Sequence, residues 1–357
     1  MQNALLADIL AQGQNLKNTI AHLFGPEREN LAAAAKFLGS ERPIIFLGMA
    51  SAEFLCMPAA VFLGERGRLA GTMSASDALY SHLPSLRGAG LVINSRSGET
   101  AEVVKLARAL RDYDIPFVAL TNEPLSTLAG LAEQVIWTNT RKDDLVSINV
   151  VTGMMTAALA LAAEIGGGLD ALRPEFLRLP EAMQSVVTRA VDQAPAMRDL
   201  FRAVRPITLL YRGCSRGPAW CGRLVLEEVA RTPGVPIEAA EFRQGPNEVV
   251  DELFGAVMFL PEGQQGLLNR ALAGDILRSG GRVLLIGDPE QVRGMESDRA
   301  QAFAIPPVAA CLRPVLEVVP LQALAFELAQ AQGYPPGTVR YITKVILDEE
   351  GIPNEEV

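Results

Sequence analysis

The stretch Leu91-Val92-Ile93-Asn94-Ser95-Arg96-Ser97-Gly98-Glu99-Thr100 carries the densest chemistry in the chain. Its apolar run predicts a buried strand that ends in a hydroxyl-rich turn. A helix follows, because Val103, Leu106, Ala107 and Leu110 recur at helical spacing. Ser95, Ser97 and Thr100 therefore gather hydroxyls and unpaired backbone N–H groups at one helix N-terminus. Those donors and the helix dipole favour an anion, and phosphate fits best. Glu99 and Glu102 fall in the first turn, where negative charge is tolerated. A serine N-cap with a capping-box glutamate is the simpler reading of any helix start. One hydroxyl would satisfy that reading; the cluster after a strand favours the anion site.

Glu228 is the second residue with chemistry to offer. On the helix predicted over 219–231, its same-face predecessors are Val225, Leu224 and Cys221, all apolar. A carboxylate on the apolar stripe of a helix is unusual. Desolvation there raises its pKa towards the range a general base needs at neutral pH. Its neighbour Glu227 shares a face with Arg223 and is expected to pair with it. A salt bridge at a domain interface is the competing reading of Glu228.

Composition limits what these residues can serve. The chain has 357 residues, more than one ordinary core holds, which predicts two domains. With 49% hydrophobic and 20% charged residues it reads as a soluble globular protein. Its net charge of −9, without a basic run, argues against nucleic acid as a partner. An anionic ligand must then be held by local donors, because the overall field repels it. Cys56, Cys214, Cys221 and Cys311 lie in apolar surroundings without metal-ligand spacing, as reduced thiols of a cytoplasmic protein would. With only His22 and His82 available, a histidine metal site or His-based triad is nearly excluded, and no metal or other cofactor is expected. Residues 1–24 read as an amphipathic segment carrying Asp8 and Lys17, not a secretory signal. The longest apolar stretch, 150–163, stops at Glu164 and is too short to span a bilayer.

The scaffold that must position these groups is legible in the periodicity. Residues 43–49, 90–94, 116–122 and 134–139 read as short β-rich runs, with helical patterns at 52–65, 100–112 and 151–163. Such alternation predicts an α/β fold with a parallel sheet covered on both faces. A polar, proline-containing helical stretch over about 169–205 serves as a connector. The pattern then restarts with runs at 206–213, 236–240, 255–261 and 282–288. Pro43-Ile44-Ile45-Phe46-Leu47-Gly48 parallels Pro206-Ile207-Thr208-Leu209-Leu210-Tyr211, and Ala75-Ser76-Asp77 parallels Ala239-Ala240-Glu241. This is the pattern of one α/β unit duplicated. In the second copy Phe259-Leu260-Pro261-Glu262-Gly263 replaces the hydroxyl-rich turn, so only the first is expected to hold phosphate. Ser51, in Gly48-Met49-Ala50-Ser51, opens the first crossover helix at the carboxyl edge of the sheet, facing the same crevice. A helix cap is its plain alternative.

With these motifs in order, the chain resembles the tandem sugar isomerase (SIS) domain proteins. It is similar to the isomerase half of glucosamine-6-phosphate synthase and to fructosamine-phosphate deglycases. The resemblance covers about 31–347. It rests on Ser95-Arg96-Ser97-Gly98-Glu99-Thr100, on Glu241-Phe242-Arg243-Gln244-Gly245-Pro246, and on Val319-Pro320-Leu321-Gln322 followed by Arg340-Tyr341-Ile342-Thr343-Lys344. It implies two tandem doubly wound parallel-sheet subdomains, flavodoxin-like three-layer α/β/α, at 31–168 and 206–347. A helical segment at 1–30, the connector at 169–205 and a tail at 348–357 complete the layout.

The resemblance also implies roles. Ser95, Arg96 (a glutamine in the synthase), Ser97 and Thr100 would grip a sugar phosphate. Ser147, in Val146-Ser147-Ile148-Asn149, aligns with a substrate-contacting serine, with a helix cap again the plain alternative. Glu228 would move protons between C1 and C2, and Lys344 would close over the sugar. The 241–246 turn would reach into a partner subunit, giving a homodimer with composite sites. A mean hydropathy of +0.19 also suggests apolar surface for a partner to cover.

Two departures matter. Gln244 stands where the family often has a ring-opening histidine, and Val225 replaces a lysine on the catalytic helix. Glutamine cannot shuttle a proton at neutral pH. An acyclic substrate, or an amine-linked sugar phosphate that opens readily, would not need the histidine. The chain begins Met1-Gln2-Asn3 without a cysteine nucleophile, so no glutaminase activity is expected. The implied function is isomerisation, or removal of an amine or amino acid, on a keto- or amino-sugar phosphate by proton transfer at C1/C2. The competing reading is a non-catalytic phosphosugar-binding sensor or regulator.

Overall fold

A computed structural model describes residues 3–39 and 41–349; most of the tail expected at 348–357 lies outside the described residues. The chain forms two compact units, one of residues 14–177 with 339–349 and one of 178–338 with 3–13.

The first unit is built on a parallel sheet in the order β2-β1-β3-β4-β5. Its strands are β1 (Ile44–Gly48), β2 (Ala70–Ser74), β3 (Gly90–Ser95), β4 (Phe117–Thr121) and β5 (Gln134–Trp137). The inner strands β3 and β4 are buried at every residue, as a sheet covered on both faces requires. Side chains alternate across the pleat, so Leu91 and Ile93 share one core with Val103, Leu106 and Leu110 of the helix Ala101–Asp112. Val92, equally buried, points to the other face. The helix Asn149–Ile165, apolar nearly all round, packs on β4 and on the helices Met57–Gly64 and Arg28–Leu38.

The second unit repeats the arrangement. Its strands are β6 (Ile207–Tyr211), β7 (Gly234–Glu238), β8 (Gly255–Leu260), β9 (Arg282–Gly287) and β10 (Ala300–Ala304), in the order β10-β9-β8-β6-β7. Read from the β7 edge, this is the strand order of the first sheet.

The structure also departs from the periodicity in several places. The 52–65 pattern is two helices, Ser51–Phe54 and Met57–Gly64, the second opening on Pro58, which fits a first turn. The connector is one helix, Leu169–Leu200, that runs through Pro174, Pro180 and Pro195. β7 begins two residues ahead of the expected run and contains Pro236, tolerable on an edge strand. β2 and β10, also at sheet edges, carried no apolar run to announce them; all five residues of β2 are half-buried.

Because every strand is parallel, the loops after β1 and β3 leave one edge side by side, with Leu47 opposite Ile93. That register sets Ser51 and the 95–100 turn on the same carboxyl edge.

Candidate functional site

The 95–100 turn is held by its own hydroxyls and by the next loop. Ser95 Oγ accepts from the Gly98 N–H at 3.1 Å, and Ser97 Oγ accepts from the Glu99 N–H at 3.2 Å. Each hydroxyl spends a lone pair in this way and keeps its proton to donate. Thr100 is the N-cap of the helix Ala101–Asp112 and makes no side-chain capping bond. The capping box is therefore not what these residues form. Glu99 instead turns away and accepts from the Thr127 N–H at 2.6 Å, while the Gly98 carbonyl accepts from Leu128 N–H at 3.1 Å. Gly98 has φ 65°, and a Cβ there would meet Ser126 Oγ at 2.0 Å. Only glycine fits both demands. The result is a turn braced from within, with Ser95 buried and Ser97 and Thr100 half-buried.

Lys344 comes to this turn through the chain's backbone. The Arg96 guanidinium donates to the Lys344 carbonyl oxygen, and the Ala101 N–H donates to the Ile346 carbonyl at 2.9 Å. Glu349 anchors the same segment, accepting from Lys105 at 2.5 Å and from the Tyr80 hydroxyl at 2.7 Å. Those two bonds hold the Glu349 carboxyl below the usual carboxylate range. The Lys344 side chain is exposed.

Ser51 is the first residue of its helix. The cap position belongs to Ala50, at φ 49°, without a side-chain capping bond. Asn94, at the end of β3, donates to the Ala52 carbonyl at 2.5 Å and ties this turn to the 95–100 edge. Ser147 lies half-buried in the loop entering Asn149–Ile165 and is not that helix's cap. The helix start is held by Asp143, a residue the sequence reading did not single out. Its carboxylate accepts from the N–H groups of Ile148 and Asn149 at 2.9 Å and Val150 at 3.0 Å, and from Asn149 Nδ2 at 2.8 Å. Burial pushes the Asp143 carboxyl up, against the opposite pull of those donors. The favoured use of aspartate at helix starts was the available signal; its six-residue lead over the helix hid it.

Glu228 and Gln244 belong to the other unit. Glu228 is half-buried on the helix Arg216–Ala230, beside buried Cys221 and Val225. Glu227 pairs with Arg223 at 3.1 Å. Gln244 is exposed in the turn after the helix Ala239–Phe242. Among the described residues, no three His, Cys, Asp or Glu side chains are grouped as for a metal ion, and no helix is long and apolar enough to cross a membrane.

Residues 37–162 match the SIS domain family. A glutamine–fructose-6-phosphate aminotransferase (isomerizing) of Pyrobaculum aerophilum is 25% identical over 354 residues, covering 97% of this chain and 57% of that protein. The corresponding protein of Gluconobacter oxydans is 28% identical over 77% of this chain and 46% of its own length. The chain thus spans about half the length of these curated relatives. Among solved structures, the C-terminal domain of glucosamine-fructose-6-phosphate aminotransferase from Francisella tularensis superposes with a TM-score of 0.81 at 19% identity, covering 93% of this chain and 97% of that one. Tagatose-6-phosphate ketose/aldose isomerase from Escherichia coli has a TM-score of 0.77 at 16% identity, over 94% and 95% of the two chains. The match to the SIS domain family over residues 37–162 takes in the stretch that holds β1 to β5 and the 95–100 turn.

Proposed function

We propose that the protein binds a phosphorylated keto- or amino-sugar and moves a proton between its C1 and C2. The outcome is aldose–ketose isomerisation, or loss of an amine or amino acid from one of those carbons. The observation that carries this reading is the 95–100 turn, whose hydroxyls keep their protons for an acceptor while the helix behind them has no side-chain cap. Ser95, Arg96, Ser97 and Thr100 take the phosphate in this reading, and Ser51 and Ser147 contact the sugar. Glu228 is the base that forms an enediol or enamine, and Lys344 steadies the sugar oxygens. The relatives named for fructose-6-phosphate amination and for ketose/aldose isomerisation support that substrate class. The protein works as a cytoplasmic homodimer, needs no metal, and takes a substrate that is acyclic or opens readily, because Gln244 cannot shuttle a ring-opening proton.

The test pairs binding with exchange. A thermal-shift panel of hexose, hexosamine and fructosamine phosphates identifies the ligand, since binding to the native state raises the melting temperature. Solvent deuterium should then enter C1 or C2 of that ligand, and Glu228→Gln should abolish the exchange while binding persists. Exchange that survives in Glu228→Gln assigns the base elsewhere. Binding with neither exchange nor turnover favours the phosphosugar sensor, the reading that the missing histidine supports.

A further inference from the structure

The second unit contains a cavity of about 350 Å³ that the proposed chemistry does not use, a size typical of small-ligand sites. Its walls come from the segments just ahead of β6 and β7 and from the end of the helix Val319–Ala331, which sets it at the amino edge of the sheet. Phe201, Val204 and Leu328, all nearly buried, give it an apolar floor. Arg198, Arg202 and Arg205 stand round it on a chain whose net charge is −9.

Cations near a helix C-terminus are by themselves an ordinary answer to the dipole. Their pairing here is uneven, however. Arg198 is matched by Glu327 at 3.1 Å and Asp199 at 3.0 Å, whereas Arg202 meets the same Asp199 only at 3.5 Å. Arg205 has no ion pair among the described residues. The opposite wall is polar and oriented. Thr232 donates its hydroxyl proton to the Ala230 carbonyl at 3.2 Å, so its oxygen accepts from Gln332 Nε2 at 3.2 Å. That bond fixes the amide, whose Oε1 is buried without a donor.

We propose that this cavity is a second ligand site, for a small organic anion with an apolar body. The anion lies against Arg202 and Arg205, and the body on Phe201 and Leu328.

The test uses the full chain carrying Ser97→Ala and Thr100→Ala, so that the 95–100 turn does not contribute. Calorimetry with adenosine 5′-monophosphate, 4-hydroxybenzoate and inorganic phosphate separates phosphate from carboxylate and either from the bare ion. At least one organic anion should bind with a Kd of about 1 mM or tighter, and inorganic phosphate about tenfold more weakly. Arg202→Glu with Arg205→Glu should cost at least about tenfold, as loss of two charge-assisted contacts implies, with the melting temperature unchanged. No binding of either organic anion at about ten times that concentration overturns the proposal. So does inorganic phosphate binding as tightly as the organic anions, or binding that survives the charge reversal.

Discussion

The 95–100 turn shows how single atoms distinguish the proposed anion site from a helix cap. Ser95 and Ser97 accept from backbone N–H groups and retain their protons, and Thr100 leaves its hydroxyl outside the capping scheme. Ser97→Ala with Thr100→Ala should weaken a sugar phosphate by about 3 kcal/mol, the loss of two hydrogen bonds to a charged group. Calorimetry on the folded double variant checks this, and unchanged affinity would reduce the turn to a structural feature. Gly98→Ala should be worse for stability, because the left-handed backbone and the approach to Ser126 both oppose a Cβ. The left-handed conformation alone costs about 1–2 kcal/mol, and a urea titration should return at least that. Cysteine reactivity offers a third check. Burial pushes the Cys221 thiol up to about 12, so at pH 8 only about one in ten thousand is thiolate. Alkylation of the native chain at that pH should label half-exposed Cys214 and Cys311 and spare buried Cys56 and Cys221.

Whole elements are positioned by partners the local sequence does not announce. Asp143 closes the start of the helix Asn149–Ile165 from six residues upstream, and so shapes the loop that carries Ser147. Asp143→Ala should cost about 2 kcal/mol, since buried N–H groups lose their acceptor. Hydrogen exchange at Ile148, Asn149 and Val150 should quicken with it. The pH dependence has a definite sign. Burial raises Asp143 above its unfolded value near 3.8, so the folded chain holds that proton more tightly than the unfolded chain. The group's contribution is largest below the unfolded pKa and falls as pH rises through the folded one. The stability gap between wild type and Asp143→Ala should therefore narrow from about pH 4 upward, and a gap that widens would contradict the assignment. Inner strands were legible because burial on both faces demands an unbroken apolar run, as in β3 and β4. β2 and β10 were not, because an edge strand needs only one paired side and partial cover.

At the scale of the whole molecule, residues 243–246 are exposed, and exposed apolar residues follow them in the chain, Val249 at 62% and Leu253 at 67%. Such a surface suits the proposed homodimer with shared sites, in which Gln244 of one chain would serve Glu228 and the 95–100 turn of the other. Mixing Glu228→Gln subunits with subunits altered at both Arg243 and Gln244 should restore part of the turnover, because one hybrid site keeps every group. A sedimentation measurement showing a monomer at micromolar concentration, or exchange of subunits without rescue, would count against it.

The sequence by itself determined what depends on near neighbours. The inner strands, the helix Ala101–Asp112, the hydroxyl-rich turn and the Arg223–Glu227 pair all follow from periodicity and spacing along a few residues. Tertiary structure decided what depends on contacts between distant segments. Ile346 caps Ala101 and Lys344 meets Arg96 only because residues 339–349 return to the first unit. Gly98 is obligatory because Ser126 arrives from the loop after β4, and Glu99 takes the N–H of Thr127 in place of the alternative capping box. A backbone donor or a carboxylate takes the best acceptor or donor within reach, and reach is set by the fold.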